Sequence, residues 1–191
     1  VTTIEYIQLS SKPTCHPGTQ GIKNGGTDVH LTPPAIIESL LELWGGIDTD
    51  PCCNDKENPN VPARHLYDIN DNGLVQEWEG NVFVNPPYSN QIPWATKLVS
   101  RLGHETTSGV YLTKTDNRTK WFKLLMDSCD AFCLIEGYLR FGSAESSAPF
   151  PSILFYFGGN PSDFKQVFAK HGWTFYHSRQ EIFNERQTNC F

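Results

Sequence analysis

The sequence predicts an α/β domain: one twisted, mainly parallel sheet with helices on its faces. Apolar stretches of strand length alternate with stretches whose apolar residues recur at helical spacing, a pattern that builds a sheet covered on both sides. The 191 residues, 38% hydrophobic and 19% charged, suit a single globular domain with a full core. Two strand candidates end on Asp50-Pro51 and Asn85-Pro86. Rigid polar turns then stand at the carboxyl ends of strands, where open α/β sheets bind ligands.

Residues 1–28 are polar and rich in Gly and Pro, and read as an irregular arm. In HLTPPAIIESLLELWGG, Thr32 is the expected N-cap and Pro33 the first helical residue. Ile36, Ile37, Leu40, Leu41 and Trp44 share a face, and Gly45-Gly46 ends the helix. Ile47–Asp50 is a short strand, 52–64 a loop, and His65–Tyr67 a second short strand. Leu74–Trp78 suggests a brief helix and Val82–Val84 a strand. Pro93–Leu102 is a helix with Trp94, Leu98 and Leu102 aligned. A strand at Val110–Thr113, a helix at Thr119–Asp127 and a strand at Ala131–Ile135 follow. Tyr138–Phe141 is expected to extend the sheet, and Ile153–Phe157 is a fully apolar strand. A helix at Asp163–His171 and a strand at Trp173–Tyr176 complete a domain spanning 29–176, and 177–191 is a polar tail.

No apolar run is long enough to span a bilayer, and no signal peptide is visible, so a cytoplasmic protein without a membrane partner is expected. Among the six cysteines, the pairs 52/53 and 129/133 lack zinc-site spacing, so no metal is expected and reduced thiols are. The net charge of −6 argues against strong non-specific nucleic-acid binding unless charge is segregated. It is segregated: KTDNRTKWFK sets Lys114, Arg118, Lys120 and Lys123 against Asp116 alone, while Glu38 to Glu79 is mostly acidic.

The chemistry concentrates in NVFVNPPYSN, residues 81–90. Asn85 brings a side-chain carbonyl. Pro86 and Pro87 stiffen the turn and remove N–H groups, leaving fixed acceptors. Tyr88 adds a flat ring. Two held acceptors beside a ring suit an exocyclic NH₂ on a planar base, with its nitrogen lone pair turned toward a neighbouring electrophile. Upstream, IDTDPCCN places carboxylates at a strand end, suited to the ammonium and ribose hydroxyls of a donor such as S-adenosylmethionine. Only one of Asp48 and Asp50 is expected to face that ligand; Asp50, beside Pro51 at the carboxyl end, is favoured.

Four ordered segments, HLTPPAIIESL, IDTDPCCNDKENPN, LYDINDNGLVQEWEGNVFVNPPYSN and LRFGSAESSAPFPSILFYF, resemble the phage-type DNA N6-adenine methyltransferase (Dam-like) family across roughly 12–176. His30 stands where members often carry an aromatic residue, and the glycine-rich donor loop general to methyltransferases is absent. The resemblance implies a single compact Rossmann-like, S-adenosylmethionine-dependent domain without a large target-recognition domain. It implies methyl transfer to the N6 of adenine in DNA, on a flipped base. Asn85 and the Pro86 carbonyl would accept the N6 hydrogens, Pro87 would hold the turn and Tyr88 would stack on the base. Thr32 (with Pro33) would meet the amino-acid end of the donor and Asp50 (with Pro51) would bind it. Asp68 or Asp71 would hold its adenine amine, with Asn85 alongside. The motif also suits other planar amines, an RNA base or a protein glutamine, and a silent nucleic-acid-binding module is a further alternative. The basic run, following a strand at the same sheet edge, is expected to contact DNA phosphate.

Overall fold

The computed structural model describes residues 30–141 and 150–176. The expected arm (1–28) and tail (177–191) lie outside them. A seven-stranded sheet in the order β2-β1-β3-β4-β6-β5-β7 forms the middle layer. Its strands are β1 (Ile47–Asp50), β2 (Ala63–Leu66), β3 (Gly80–Val84), β4 (Thr106–Lys114), β5 (Ala131–Ile135), β6 (Ser152–Phe157) and β7 (Gly172–Tyr176).

The sheet is mixed, where the sequence predicts a mainly parallel one. β2, β1, β3 and β4 pair in parallel, whereas β4–β6, β6–β5 and β5–β7 are antiparallel. The reason lies in the connections. Strands joined through a helix keep their direction: β3 to β4 through α2 (Ile92–Arg101), β4 to β5 through α3 (Lys120–Ser128), and β6 to β7 through α4 (Pro161–Phe168). β5 and β6 pair antiparallel as direct neighbours, so β6 enters the sheet reversed, between β4 and β5.

Helix α1 (Pro34–Trp44) and α4 pack against each other on one face, over a core including Leu40, Phe83, Leu112, Leu154 and Phe164. Helices α2 and α3 cover the other face over Val82, Leu98, Tyr111, Leu125 and Phe155. β6 has helices on both sides, and every one of its residues is buried, as its unbroken apolar run requires. Among the described residues no helix is long and apolar enough to cross a membrane.

Three local expectations change. α1 begins at Pro34, with Pro33 extended before it (φ −60°, ψ 140°) and no side-chain cap; the hydroxyl of Thr32 turns elsewhere. Residues 74–78 form no helix but a turn at 74–75 that runs into irregular chain, and the carbonyls of Leu74 and Gln76 accept from Lys97 Nζ rather than from a helical ladder. Residues 138–141 do not pair, and Phe141 contributes its ring to an aromatic cluster.

Candidate active site

β1, β3 and β4 run in parallel, so their carboxyl ends deliver Asp50, Asn85 and Lys114 to one edge of the sheet. A cavity of about 450 Å³ opens there. It is walled by the approach to α1 (His30, Thr32), the β1 end (Asp50 to Asn54), the β2 end (Tyr67, Asp68, Ile69), and Phe83, Asn85 and Pro87. Six residues expected at a ligand site therefore line one cavity: Thr32, Asp50, Pro51, Asp68, Asn85 and Pro87. Pro33, Asp71, Pro86 and Tyr88 do not line it.

Asp50 is 4% exposed. Its Oδ1 accepts one hydrogen bond, from Cys52 N–H at 3.0 Å, and no cation of the described residues pairs with it. Burial pushes its carboxyl up to about 7, against the smaller opposing pull of that N–H. Asp48 sits two residues back on the same strand. By strand alternation the two share a face rather than opposing each other. What separates them is two rises along β1. Asp48 lies at the far end, where it accepts from Asn81 N–H at 2.9 Å and faces Arg64 at 3.6 Å.

The sequence left Asp68 and Asp71 as alternatives, and the structure places them differently. Asp68 lines the cavity and accepts Asn70 N–H at 2.8 Å. Asp71 is turned away. Its carboxylate accepts Asp68 N–H at 2.9 Å and Lys56 Nζ at 2.8 Å, and the Lys56 contact holds its carboxyl below the usual range.

Asn85 is held through its amide nitrogen. Nδ2 donates to the His30 carbonyl at 2.6 Å and to Thr32 Oγ1 at 3.1 Å. That pairing explains why Thr32 does not cap α1, and it fixes the opposite end of the amide. Asn85 Oδ1 is buried and has no hydrogen-bond partner among the described residues. A buried carbonyl without a donor carries a desolvation cost of roughly 1–3 kcal/mol, so its persistence asks for an explanation. The turn itself closes through Asn90 N–H onto the Pro87 carbonyl at 3.4 Å.

Tyr88 is buried. Its ring is only 8% exposed, packed against His30 at 4.5 Å and Phe150 at 5.5 Å, with Phe141 edge-on at 6.4 Å. Burial pushes its phenol well above the ordinary range, and its hydroxyl has no hydrogen-bond partner among the described residues. The His30 ring lies tilted at 42° to that of Tyr88.

The basic run leaves the same edge. Lys114 is half-buried at the end of β4. Arg118, Lys120 and Lys123 are exposed, Arg118 beside Asp116 at 3.3 Å and Lys123 beside Asp127 at 2.7 Å. Trp121 and Phe122 of the same segment turn into the core, and Thr119 caps α3 by accepting Phe122 N–H.

Two supporting residues escaped the sequence reading. A Cβ on Gly73 would stand 2.0 Å from the Pro51 carbonyl, so the cavity wall closes only with glycine there. Lys97 gathers the carbonyls of Gly73 (3.3 Å), Leu74 (2.9 Å) and Gln76, with its charge 4.8 Å over the Trp78 ring. Burial lowers the Lys97 pKa. The Asn72-Gly73 dipeptide is a turn signal that could have found Gly73; nothing local points to Lys97.

A family model described as DNA N-6-adenine-methyltransferase (Dam) matches residues 20–153, which contain every cavity-lining residue. Among curated proteins, the chain is 30% identical over 104 residues to a DNA N-6-adenine-methyltransferase of Haemophilus phage HP1, covering 53% of this chain and 58% of the relative. It is 29% identical over 126 residues to a DNA N-6-adenine-methyltransferase of Escherichia phage T1, covering 61% of this chain and 51% of the relative. The match thus spans little more than half the length of either relative. With the family model covering well over half of the sequence, the chain belongs to the DNA N-6-adenine-methyltransferase (Dam) family.

Proposed function

We propose that this protein transfers a methyl group from S-adenosylmethionine to the N6 amino group of adenine in DNA. On this reading it acts in the cytoplasm of a bacterial host, with 29–176 as a Rossmann-like methyltransferase domain between an arm and a tail. The observation that carries the reading is the Asn85 side chain: tied down by its NH₂ end, it presents a buried, unpartnered carbonyl at the edge of a cavity that also holds a buried carboxylate.

When bound, S-adenosylmethionine supplies an electrophilic methyl group on a sulfonium. The cavity suits such a molecule. Asp50 is a buried carboxylate that gains a counter-charge from a cationic ligand, and Asp68 is placed to accept from an amine or hydroxyl. Asn85 Oδ1 and the Pro86 carbonyl accept the two N6 hydrogens, which directs the nitrogen lone pair away from them. No strong base is needed, because alignment of the amine supplies much of the rate. The N6 proton leaves to solvent after the methyl has transferred. A base inside a duplex does not reach this edge, so the target nucleotide is flipped out. Lys114, Arg118, Lys120 and Lys123 hold phosphate and position the duplex without reading sequence.

Unmethylated DNA, incubated with methyl-labelled S-adenosylmethionine and digested to nucleosides, tests this directly. Label in N6-methyldeoxyadenosine, lost with Asn85→Ala, is the expected result. Label confined to RNA or to protein glutamine redirects the same chemistry to another planar amine. Donor binding without transfer to any acceptor refutes the enzyme.

A further inference from the structure

Lys97 makes no salt bridge among the described residues, yet its ammonium is fully engaged. Nζ donates to the Gly73 carbonyl at 3.3 Å, to the Leu74 carbonyl at 2.9 Å and to the Gln76 carbonyl, and it stands 4.8 Å over the Trp78 ring. A lysine on a helix face can put its ammonium in water at the end of a flexible stem. This one is half-buried, and burial lowers its pKa. The cost of desolvating it is offset by the carbonyls of one short segment rather than by a carboxylate.

That segment, 71–76, belongs to no strand or helix. Its carbonyls are satisfied one at a time: Asp71 by Gln76 Nε2 at 2.7 Å, Asn72 by Val75 N–H at 2.9 Å, and Gly73 by Trp78 Nε1 at 2.8 Å as well as by Lys97. Leu74 and Gln76 have Lys97. The segment is also cavity wall. Asn72 and Gly73 line the cavity, and Gly73 lies so close to the Pro51 carbonyl that a Cβ would meet it at 2.0 Å, which sets the segment against the residue after Asp50. Helix α2 supports this wall twice. Lys97 holds its carbonyls, and Trp94, one turn earlier, lines the cavity and stacks on the fully buried Trp78 at 6.1 Å. The same helix starts at Ile92, directly after the 85–90 turn. It is thereby joined to the 71–76 wall through Lys97 and to the Asn85 turn through the chain itself.

We propose that Lys97 is a positioning residue for the methyl donor: its ammonium fixes the 71–76 segment as a wall and so sets the shape of the compartment beside Asp50 and Asp68. The proposal rests on the S-adenosylmethionine reading and adds to it a residue that does not itself line the cavity. Lys97 acts through Gly73 and Asn72. Without the ammonium, the carbonyls of Leu74 and Gln76 lose their hydrogen-bond partner and turn toward water. The wall then takes several arrangements, of which the ligand fits one. Binding has to supply the order that Lys97 provides in the free protein, and affinity falls by the fraction of molecules out of place. The Asn85 amide is held by the His30 carbonyl and Thr32, not by Lys97, so its geometry survives once the ligand is bound. The effect falls on donor affinity rather than on the transfer step.

Lys97→Met keeps a long stem over Trp78 and removes the charge. Titration calorimetry should show its Kd for S-adenosylmethionine raised roughly tenfold, the loss expected for about one charge-assisted hydrogen bond. S-adenosylhomocysteine, which lacks the positive sulfonium, should lose the same factor, because the ligand meets the wall and not the charge of Lys97. At saturating donor, kcat and the KM for DNA should stay within about twofold of wild type. Lys97→Arg keeps the cation, but its planar fork does not match carbonyls converging on one nitrogen, so its Kd should lie between those of wild type and Lys97→Met. Should Lys97→Met not fold, Lys97→Arg decides in the same way. Wild-type affinity for both ligands in the folded variants overturns the proposal and leaves the donor reading in place. A loss confined to one ligand overturns it as well. So does a fall in kcat matching the fall in affinity, or failure of both variants to fold, either of which assigns Lys97 to the fold as a whole. A wild type that binds neither ligand removes the donor reading and the proposal together.

Discussion

Asp50 offers the sharpest quantitative handle, because burial raises its pKa from 3.8 to about 7 in the ligand-free protein. The unfolded chain releases this proton near pH 4, whereas the folded state keeps it until about pH 7. Between those values the folded state holds the extra proton, so stability falls as pH rises through the window and is lowest above it. At 1.36 kcal/mol per pKa unit, the cost of carrying the buried carboxylate at pH 8 is about 4 kcal/mol. Asp50→Asn should remove most of that pH dependence and raise the melting temperature at pH 8 relative to wild type. A cationic ligand reverses the sense, since it binds the ionised form. At pH 6 only about a tenth of the molecules carry the charge, so the apparent Kd for S-adenosylmethionine should rise roughly tenfold between pH 8 and pH 6. Binding should release a proton near pH 6.5. Titration calorimetry in buffers of different ionisation enthalpy measures both quantities, and thermal unfolding against pH measures the first. A wild-type affinity flat from pH 6 to 8, or a wild-type stability profile matching that of Asp50→Asn, would refute the argument.

Further outcomes follow from other residues. Asn85→Ala should lower methyl transfer by roughly 10²–10³ while donor binding stays within a few fold, measured by single-turnover labelling and calorimetry; equal losses in both would place Asn85 at the donor instead. Gly73→Ala should weaken donor binding and lower the melting temperature, since its Cβ would meet the Pro51 carbonyl at 2.0 Å; wild-type behaviour in both assays would contradict the close approach. Neutralising Arg118 and Lys120 together should reduce the salt-dependence slope of DNA binding by roughly 2, equally across sequences and without change in donor affinity. An unchanged slope would return the 114–123 segment to a solvated face with Trp121 and Phe122 turned into the core.

The sequence by itself determined the elements whose signals are local. Helical spacing from Ile36 to Trp44 ended by two glycines marked α1, the apolar runs at 82–84 and 153–157 marked β3 and β6, and the stiff turn at 85–88 marked the sheet edge where the cavity opens. Those signals persist because spacing, turn residues and strand ends act within a few residues of themselves. Tertiary structure alone decided the rest. The reversed insertion of β6 between β4 and β5 depends on which neighbour completes the sheet, and periodicity carries no direction. The short helix expected at 74–78 yields to a lysine more than twenty residues away that claims its carbonyls. Asp68 and Asp71 look interchangeable in sequence until folding sets Asp68 in the cavity wall and ties the Asp71 carboxylate to Lys56 at 2.8 Å and to the Asp68 N–H at 2.9 Å. The free carbonyl of Asn85 exists only because Thr32 and the His30 carbonyl, over fifty residues away, engage the other end of the same amide. A hydrogen bond is satisfied or left open by what folding brings within about 3 Å, and that proximity is a property of the packed chain.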